Sequence, residues 1–120
     1  TDDDRWPWLD AIGGWIDERC RDQAPAIVSC SALKRVYRER LLDGRECVRL
    51  IYLQGRRELI AERLRGRKGH FMPAALLDSQ FAALEEPGAS EAALIVPVAL
   101  SPKKVVQRII VGFGLDVMPR

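Results

Sequence analysis

The densest chemistry in this chain lies in Arg63-Leu64-Arg65-Gly66-Arg67-Lys68-Gly69-His70-Phe71, a basic run interrupted by two glycines and closed by the only histidine. From Arg56 to His70 six Lys/Arg face two Glu, a local net charge of +4, while the whole chain carries +2. The positive charge is therefore concentrated. Arginine binds phosphate or carboxylate through a rigid, two-pronged fork, and flanking glycines let a charged loop swing. The run reads as a mobile arginine lid that closes over an anionic substrate. It also fits a solvated helix end with ordinary surface charges.

A second group of polar residues sits where an apolar run gives way to a helical pattern. Ser31 and Lys34 are placed there to meet substrate hydroxyls or phosphate, although Ser31 equally suits a plain helix N-cap. Arg5 follows the triplet Asp2-Asp3-Asp4, with which it could simply pair. Consecutive aspartates point in different directions, so one shared metal ion is not expected there. Gln80 lies near an apolar helix face, where it needs a partner.

The elements that would carry these residues follow from periodicity. Trp8, Leu9, Ile12, Trp15, Ile16 and Cys20 recur at helical spacing, predicting a helix over about Arg5 to Arg21 with Asp4 as N-cap. Gly13-Gly14 weakens that helix without ending it. Trp6, Trp8 and Trp15 read as core or interface residues. Pro25 to Cys30 is a short continuous apolar run, the pattern of a strand buried on both faces. A helix over Ala32 to Leu42 follows, capped by Ser31 and closed at Asp43-Gly44.

Cys47 to Leu53 predicts a second strand, and Gln54-Gly55 turns into a helix over about Arg56 to Arg65. Pro73 suits the first position of another helix, which runs through Leu84 until Glu85-Glu86-Pro87-Gly88 breaks it. Leu94 to Val98 is a third strand, in which Pro97 marks an end or an edge. A last amphipathic helix from about Pro102 uses Val105, Val106, Ile109 and Ile110 and stops at Gly112-Phe113-Gly114.

Composition bounds the function. The 120 residues are 48% hydrophobic and 30% charged, ordinary for one globular domain or part of one. No apolar run reaches the roughly 20 residues of a membrane span, no secretion leader is recognisable, and a cytoplasmic protein is expected. Cys20, Cys30 and Cys47 are odd in number, lack a C-x-x-C spacing and sit among apolar residues. Reduced core thiols are expected, rather than a disulfide framework or a zinc site. A pI near 8.6 with balanced charges does not describe a dedicated nucleic-acid binder.

Helices between successive strands imply an α/β fold with a doubly wound parallel sheet. Three short strands, apolar on both faces, cannot cover themselves. The sheet is expected to be incomplete.

Several segments together resemble the gluconokinase family, carbohydrate kinases of the P-loop class that phosphorylate gluconate and are similar to shikimate and adenylate kinases. The matching residues are Asp2-Asp3-Asp4-Arg5 with Pro7-Trp8-Leu9, Cys30-Ser31-Ala32-Leu33-Lys34-Arg35 with Tyr37-Arg38, and Ile51-Tyr52-Leu53. Arg63-Leu64 with Arg67-Lys68-Gly69-His70-Phe71 follows, then Gln80-Phe81, Leu84-Glu85 and Pro87-Gly88. Beyond Ser90 only the strand-then-helix pattern agrees. The family's glycine-rich P-loop, with its phosphate-binding Lys and Mg²⁺-binding Ser/Thr, and the Asp-containing segment after it would lie before Thr1.

The resemblance implies that residues 1–120 are the carboxyl-terminal portion of a single kinase domain, with a helical lid at about 63–72. It implies that the central P-loop strand, between those at Ile27 and Val48, is missing from the sheet. The implied activity is transfer of the γ-phosphoryl group of ATP to D-gluconate, with Mg²⁺ held mainly by the segment before Thr1. This portion by itself would be inactive. Arg63 and Arg67 take the catalytic roles, against the nucleotide and the transferring group. Lys68 adds charge at the nucleotide, and His70 with Phe71 anchors the lid's return. Arg5 projects into the sugar-acid pocket, where Ser31, Lys34, His70 and Gln80 are further substrate contacts. The partners implied are ATP and a sugar acid, without nucleic acid or membrane, and a homodimer stays open. Two other classes remain: a catalytically inactive partner-binding fragment, and a basic RNA-contacting domain using Arg56 to Lys68 and Tyr52.

Overall fold

The computed structural model describes residues 2–66 and 73–115, which fall into two compact units. The first comprises Thr1–Arg49 with Ala83–Glu86, the second Leu50–Ala82 with Pro87–Arg120. Among the described residues the fold is α/β, with one two-stranded parallel sheet and five α-helices. No described helix is long and apolar enough to cross a membrane.

In the first unit, α1 (Asp2–Arg21) begins two residues before the expected cap, so Asp4 lies inside the helix. The acidic triplet occupies the first turn, where carboxylates oppose the positive end of the helix dipole. Pro7 and both glycines are inside α1. Gly13 is buried because the Arg45 guanidinium rests on it; a Cβ there would fall 2.6 Å from Nη2. α1 packs on α2 (Arg35–Leu42) around Leu9, Tyr37 and Leu41, with Trp6, Ile12, Cys30, Ala32 and Leu42 at the edges. Each large apolar side chain fully buried here contributes about 2 kcal/mol.

Two arginine–aspartate forks brace this pair of helices. Arg40 donates to Asp10 at 2.7 and 2.9 Å, and Arg45 to Asp17 at 2.9 and 3.2 Å. Asp10 and Asp17 are seven residues apart and so share a face of α1. Arg45 also donates to the carbonyls of Arg40 and Leu41, each at 3.1 Å, filling acceptors that the last turn of α2 leaves open.

Further expectations fail in this unit. Pro25 to Cys30 forms no strand; Ile27 is 92% exposed, so none of the described residues covers it, and an apolar run without a hydrogen-bonding neighbour stays irregular. α2 starts at Arg35 rather than Ala32, and Lys34, not Ser31, is the residue before it. The cause is distant: the Glu85 carboxylate accepts the Arg35 N–H at 2.9 Å, and the Glu85 N–H reaches the Leu33 carbonyl at 2.8 Å. Trp8 and Trp15, expected at the core or an interface, are 46% and 40% exposed and so lie outside the core, whereas Trp6 packs against the Tyr37 ring edge-on. Cys20 and Cys47 are joined in a disulfide, their Cα atoms 6.1 Å apart, which corrects the expectation of reduced thiols; Cys30 is free. Packing of α1 on α2 sets that distance, and no local spacing records it.

In the second unit, β1 (Ile51–Gln54) pairs with β2 (Leu94–Pro97), Ile51 opposite Leu94 and Gln54 opposite Pro97. The ladder runs on through Leu94 N–H to Leu50 O at 2.9 Å and Val98 N–H to Gln54 O at 2.8 Å. The predicted strand over Cys47 to Leu53 shortens to the stretch that has a partner. Pro97, lacking a donor, occupies the last position.

Between the strands lie α3 (Arg57–Arg65), α4 (Ala74–Ala83) and a short 3₁₀ turn at Ala89–Glu91. An Arg57–Asp78 ion pair links α3 with α4. α5 (Pro102–Phe113) starts on the Ser101 hydroxyl, which accepts the Lys104 N–H at 3.3 Å, and ends at Gly114 with φ +63°. It packs on β2, where Gly112 lets Leu94 approach; a Cβ would lie 2.7 Å from Leu94 Cδ1. Val96 is buried to 1% in this unit.

Candidate functional site

The first turn of α1 and the start of α2 bring Arg5 and Lys34 onto one polar cluster, centred on Asp2 and Tyr37. Tyr37 projects from the buried face of α2 and donates its hydroxyl hydrogen to Asp2. Arg5 Nη1 donates to the Tyr37 oxygen at 2.9 Å, and Lys34 Nζ reaches the two Asp2 oxygens at 3.3 and 3.4 Å. Both cations lie over the Tyr37 ring, Arg5 at 5.3 Å and Lys34 at 5.7 Å from its centre.

Charge follows the geometry. The Tyr37 hydrogen bond, helped by Lys34 and Arg5, holds the Asp2 carboxyl below its ordinary value, and the bond to Asp2 pushes Lys34 up. Asp2 is thus ionised and Lys34 protonated at neutral pH. The cluster holds two cations and one anion within a part-exposed rim, and an incoming carboxylate would complete its charge balance.

Buried Arg38 supports this rim from below. It is 4% exposed and donates to the carbonyls of Ala32 at 3.0 Å and Leu33 at 3.1 Å, fixing the backbone that delivers Lys34. Ser31 lies on the same segment, exposed.

The second unit places Arg63 at the carboxyl ends of the two strands. Its guanidinium donates to the carbonyls of Val98 and Ala99, the latter at 3.3 Å, just past the end of β2. Arg63 is exposed, with its charge accessible at the edge where open α/β sheets bind ligands. Gln80 is half-buried on α4. Arg67, Lys68, His70 and most of the lid at about 63–72 lie outside the described residues. An apolar groove on the first unit, lined by Trp8, Ile12, Trp15, Ile27 and Val28, includes none of the predicted site residues.

Comparison with known proteins decides what these residues are set in. No protein-family model matches the chain. A gluconokinase of Gluconobacter oxydans is 40% identical over 116 residues, covering 97% of this chain and 65% of that protein. The crystal structure of a sugar kinase from Janibacter superposes with a TM-score of 0.86 at 39% identity, covering 96% of this chain and 66% of the other. A gluconokinase structure from Sinorhizobium meliloti gives a TM-score of 0.80 at 42% identity, covering 95% and 63%. The chain is similar in sequence and structure to gluconokinases over most of its length. It spans just under two thirds of these relatives.

The described residues do not themselves present a Mg²⁺ site of the kind a kinase uses. No group of three or more His, Cys, Asp or Glu side chains is disposed to hold a metal ion among them, and Asp2 is turned toward Tyr37 and Lys34.

Sequence reasoning chose Arg5 and Lys34 but missed what joins them. The signal was present at Tyr37, because a buried tyrosine hydroxyl demands a partner. Asp2 carried no such signal, because three adjacent aspartates are locally equivalent. Glu85 and Arg38 act on the site only through backbone positions that the fold creates.

Proposed function

We propose that the complete protein is an ATP-dependent gluconokinase, and that these residues are the carboxyl-terminal portion of a single P-loop-type kinase domain with a doubly wound sheet. The reaction joins the hydroxyl oxygen at carbon 6 of D-gluconate to the γ-phosphorus of ATP. The bond from that phosphorus to ADP breaks, and the hydroxyl proton leaves to solvent, giving 6-phosphogluconate and ADP.

The observation that carries this reading is the convergence of Arg5 and Lys34 on the Asp2–Tyr37 pair, a surplus of one positive charge that suits a sugar-acid carboxylate. Ser31 and Gln80 are assigned to substrate contact. Arg63, at the strands' carboxyl ends, lies against the nucleotide, and Arg67 with Lys68 closes over the transferring group while His70 anchors the lid. Phosphoryl transfer asks for positioning, charge compensation and exclusion of water rather than covalent chemistry from the protein. Kinases of this kind use ATP with Mg²⁺, which offsets charge on the phosphates.

The test is an ADP-release assay on the complete protein with ATP and a panel of sugar acids. Turnover with gluconate is expected. Turnover with a different aldonic acid alone would correct the substrate, and none with any sugar acid would overturn the reading.

A further inference from the structure

The hydroxyl of Tyr37 has a place in the site that its buried ring does not require. The ring is 2% exposed and is fixed by Leu9, Leu41 and the edge of Trp6, whose centre lies 6.0 Å away. The oxygen, by contrast, emerges among side chains that are open to solvent: Arg5 is 49%, Asp2 41% and Lys34 33% exposed. The packed core thus delivers one polar atom to the centre of a solvent-open, charged rim. There it donates to Asp2 and accepts from Arg5 at the same time.

This geometry governs where the rim's positive charge sits. Arg5 Nη1 also forms an ion pair with Asp2 Oδ1 at 3.6 Å. By bonding both members of that pair, the hydroxyl fixes where the Arg5 guanidinium sits beside Asp2. Lys34 is likewise shared between Asp2 and the face of the same ring.

Resting on the gluconokinase reading, we propose that Tyr37 is a positioning residue of the sugar-acid site, whose hydroxyl sets Arg5 and Lys34 for the substrate carboxylate. It touches neither substrate nor nucleotide. Its effect is on how the acid is bound, and the phosphoryl-transfer step proceeds without it. Loss of one such hydrogen bond to charged partners corresponds to about a tenfold change in binding.

The experiment is steady-state kinetics on the complete protein carrying Tyr37→Phe, beside the unaltered protein, with melting temperatures of both. Phenylalanine keeps the ring, its packing and its attraction for the cations, and removes only the oxygen. The expected result is a rise of about tenfold in KM for gluconate, with KM for ATP and kcat at saturation held and only the small fall in melting temperature that loss of the Asp2 hydrogen bond brings. An unchanged gluconate KM overturns the proposal. So does loss of fold, or a fall in melting temperature with all kinetic constants moving together, since either assigns the hydroxyl to the core alone. If the unaltered protein itself fails to phosphorylate gluconate, the functional reading falls and this proposal with it, a result distinct from failure of the variant.

Discussion

Glu85 caps the helix that begins at Arg35, its carboxylate accepting the backbone N–H at 2.9 Å across fifty positions of sequence. A helix start leaves N–H groups unpaired, and an oxygen there satisfies one while meeting the positive end of the dipole. Because α2 carries Tyr37 and follows directly on Lys34, this contact sets where the charged rim around Asp2 begins. Glu85→Ala is expected to cost about 1 kcal/mol and lower the melting temperature by about 5 °C. Glu85→Gln, which keeps an acceptor oxygen, should recover most of that loss; thermal unfolding of the three proteins checks it.

The disulfide between Cys20 and Cys47 closes a loop with a sequence separation of 27. Restricting the unfolded chain in this way stabilises the fold by about 3.5 kcal/mol in the loop-entropy account. Unfolding by urea with and without reductant should show that difference, and the double variant Cys20→Ser, Cys47→Ser should match the reduced protein. Titration of thiols in the denatured protein should find two more with reductant than without it, from Cys20 and Cys47.

Acid should loosen the first unit through its aspartates. Asp2, Asp10 and Asp17 are each held below the ordinary value of 3.8, chiefly by hydrogen bonds from Tyr37, Arg40 and Arg45 respectively. A carboxyl whose folded value is depressed contributes stability that is complete above its unfolded value and disappears as pH falls through the folded one. The expected outcome is a melting temperature that holds down to the ordinary carboxylate range and declines below it. Asp10→Asn with Asp17→Asn should flatten that decline, and added salt should shrink the difference between the proteins.

Arginine at the lid should matter to turnover rather than to folding. Arg67→Ala in the complete protein is expected to lower kcat by about 10³-fold with the melting temperature unchanged. Arg63→Ala should raise KM for ATP and also cost some stability, because its guanidinium is bonded to the Val98 and Ala99 carbonyls. Kinetics and melting of the two variants side by side separate these outcomes; equal loss of turnover and stability at Arg67 would count against a lid.

Residues 102–113 illustrate what the sequence makes legible. Proline at the first turn, a serine before it, apolar residues at helical spacing and a glycine after it are all local signals, and α5 has those bounds. The parallel pairing of β1 with β2 was equally accessible, since a helical connection between two apolar runs leaves little alternative. Pro25 to Cys30 shows the opposite case. Its composition asks for a strand, but a strand exists only where a neighbour supplies hydrogen bonds.

The sequence by itself determined the presence of the helices, the direction of the two paired strands and the charge concentrated after Arg56, and it singled out Arg5 and Lys34 as candidates. Only the tertiary structure decided that Asp2 and Tyr37 join those two cations, that Glu85 starts α2, and that Cys20 meets Cys47. The physical reason is range. Propensity, capping and periodicity act over one or two helical turns, whereas these contacts link residues 27 to 50 positions apart and exist only once the chain's path has brought them together.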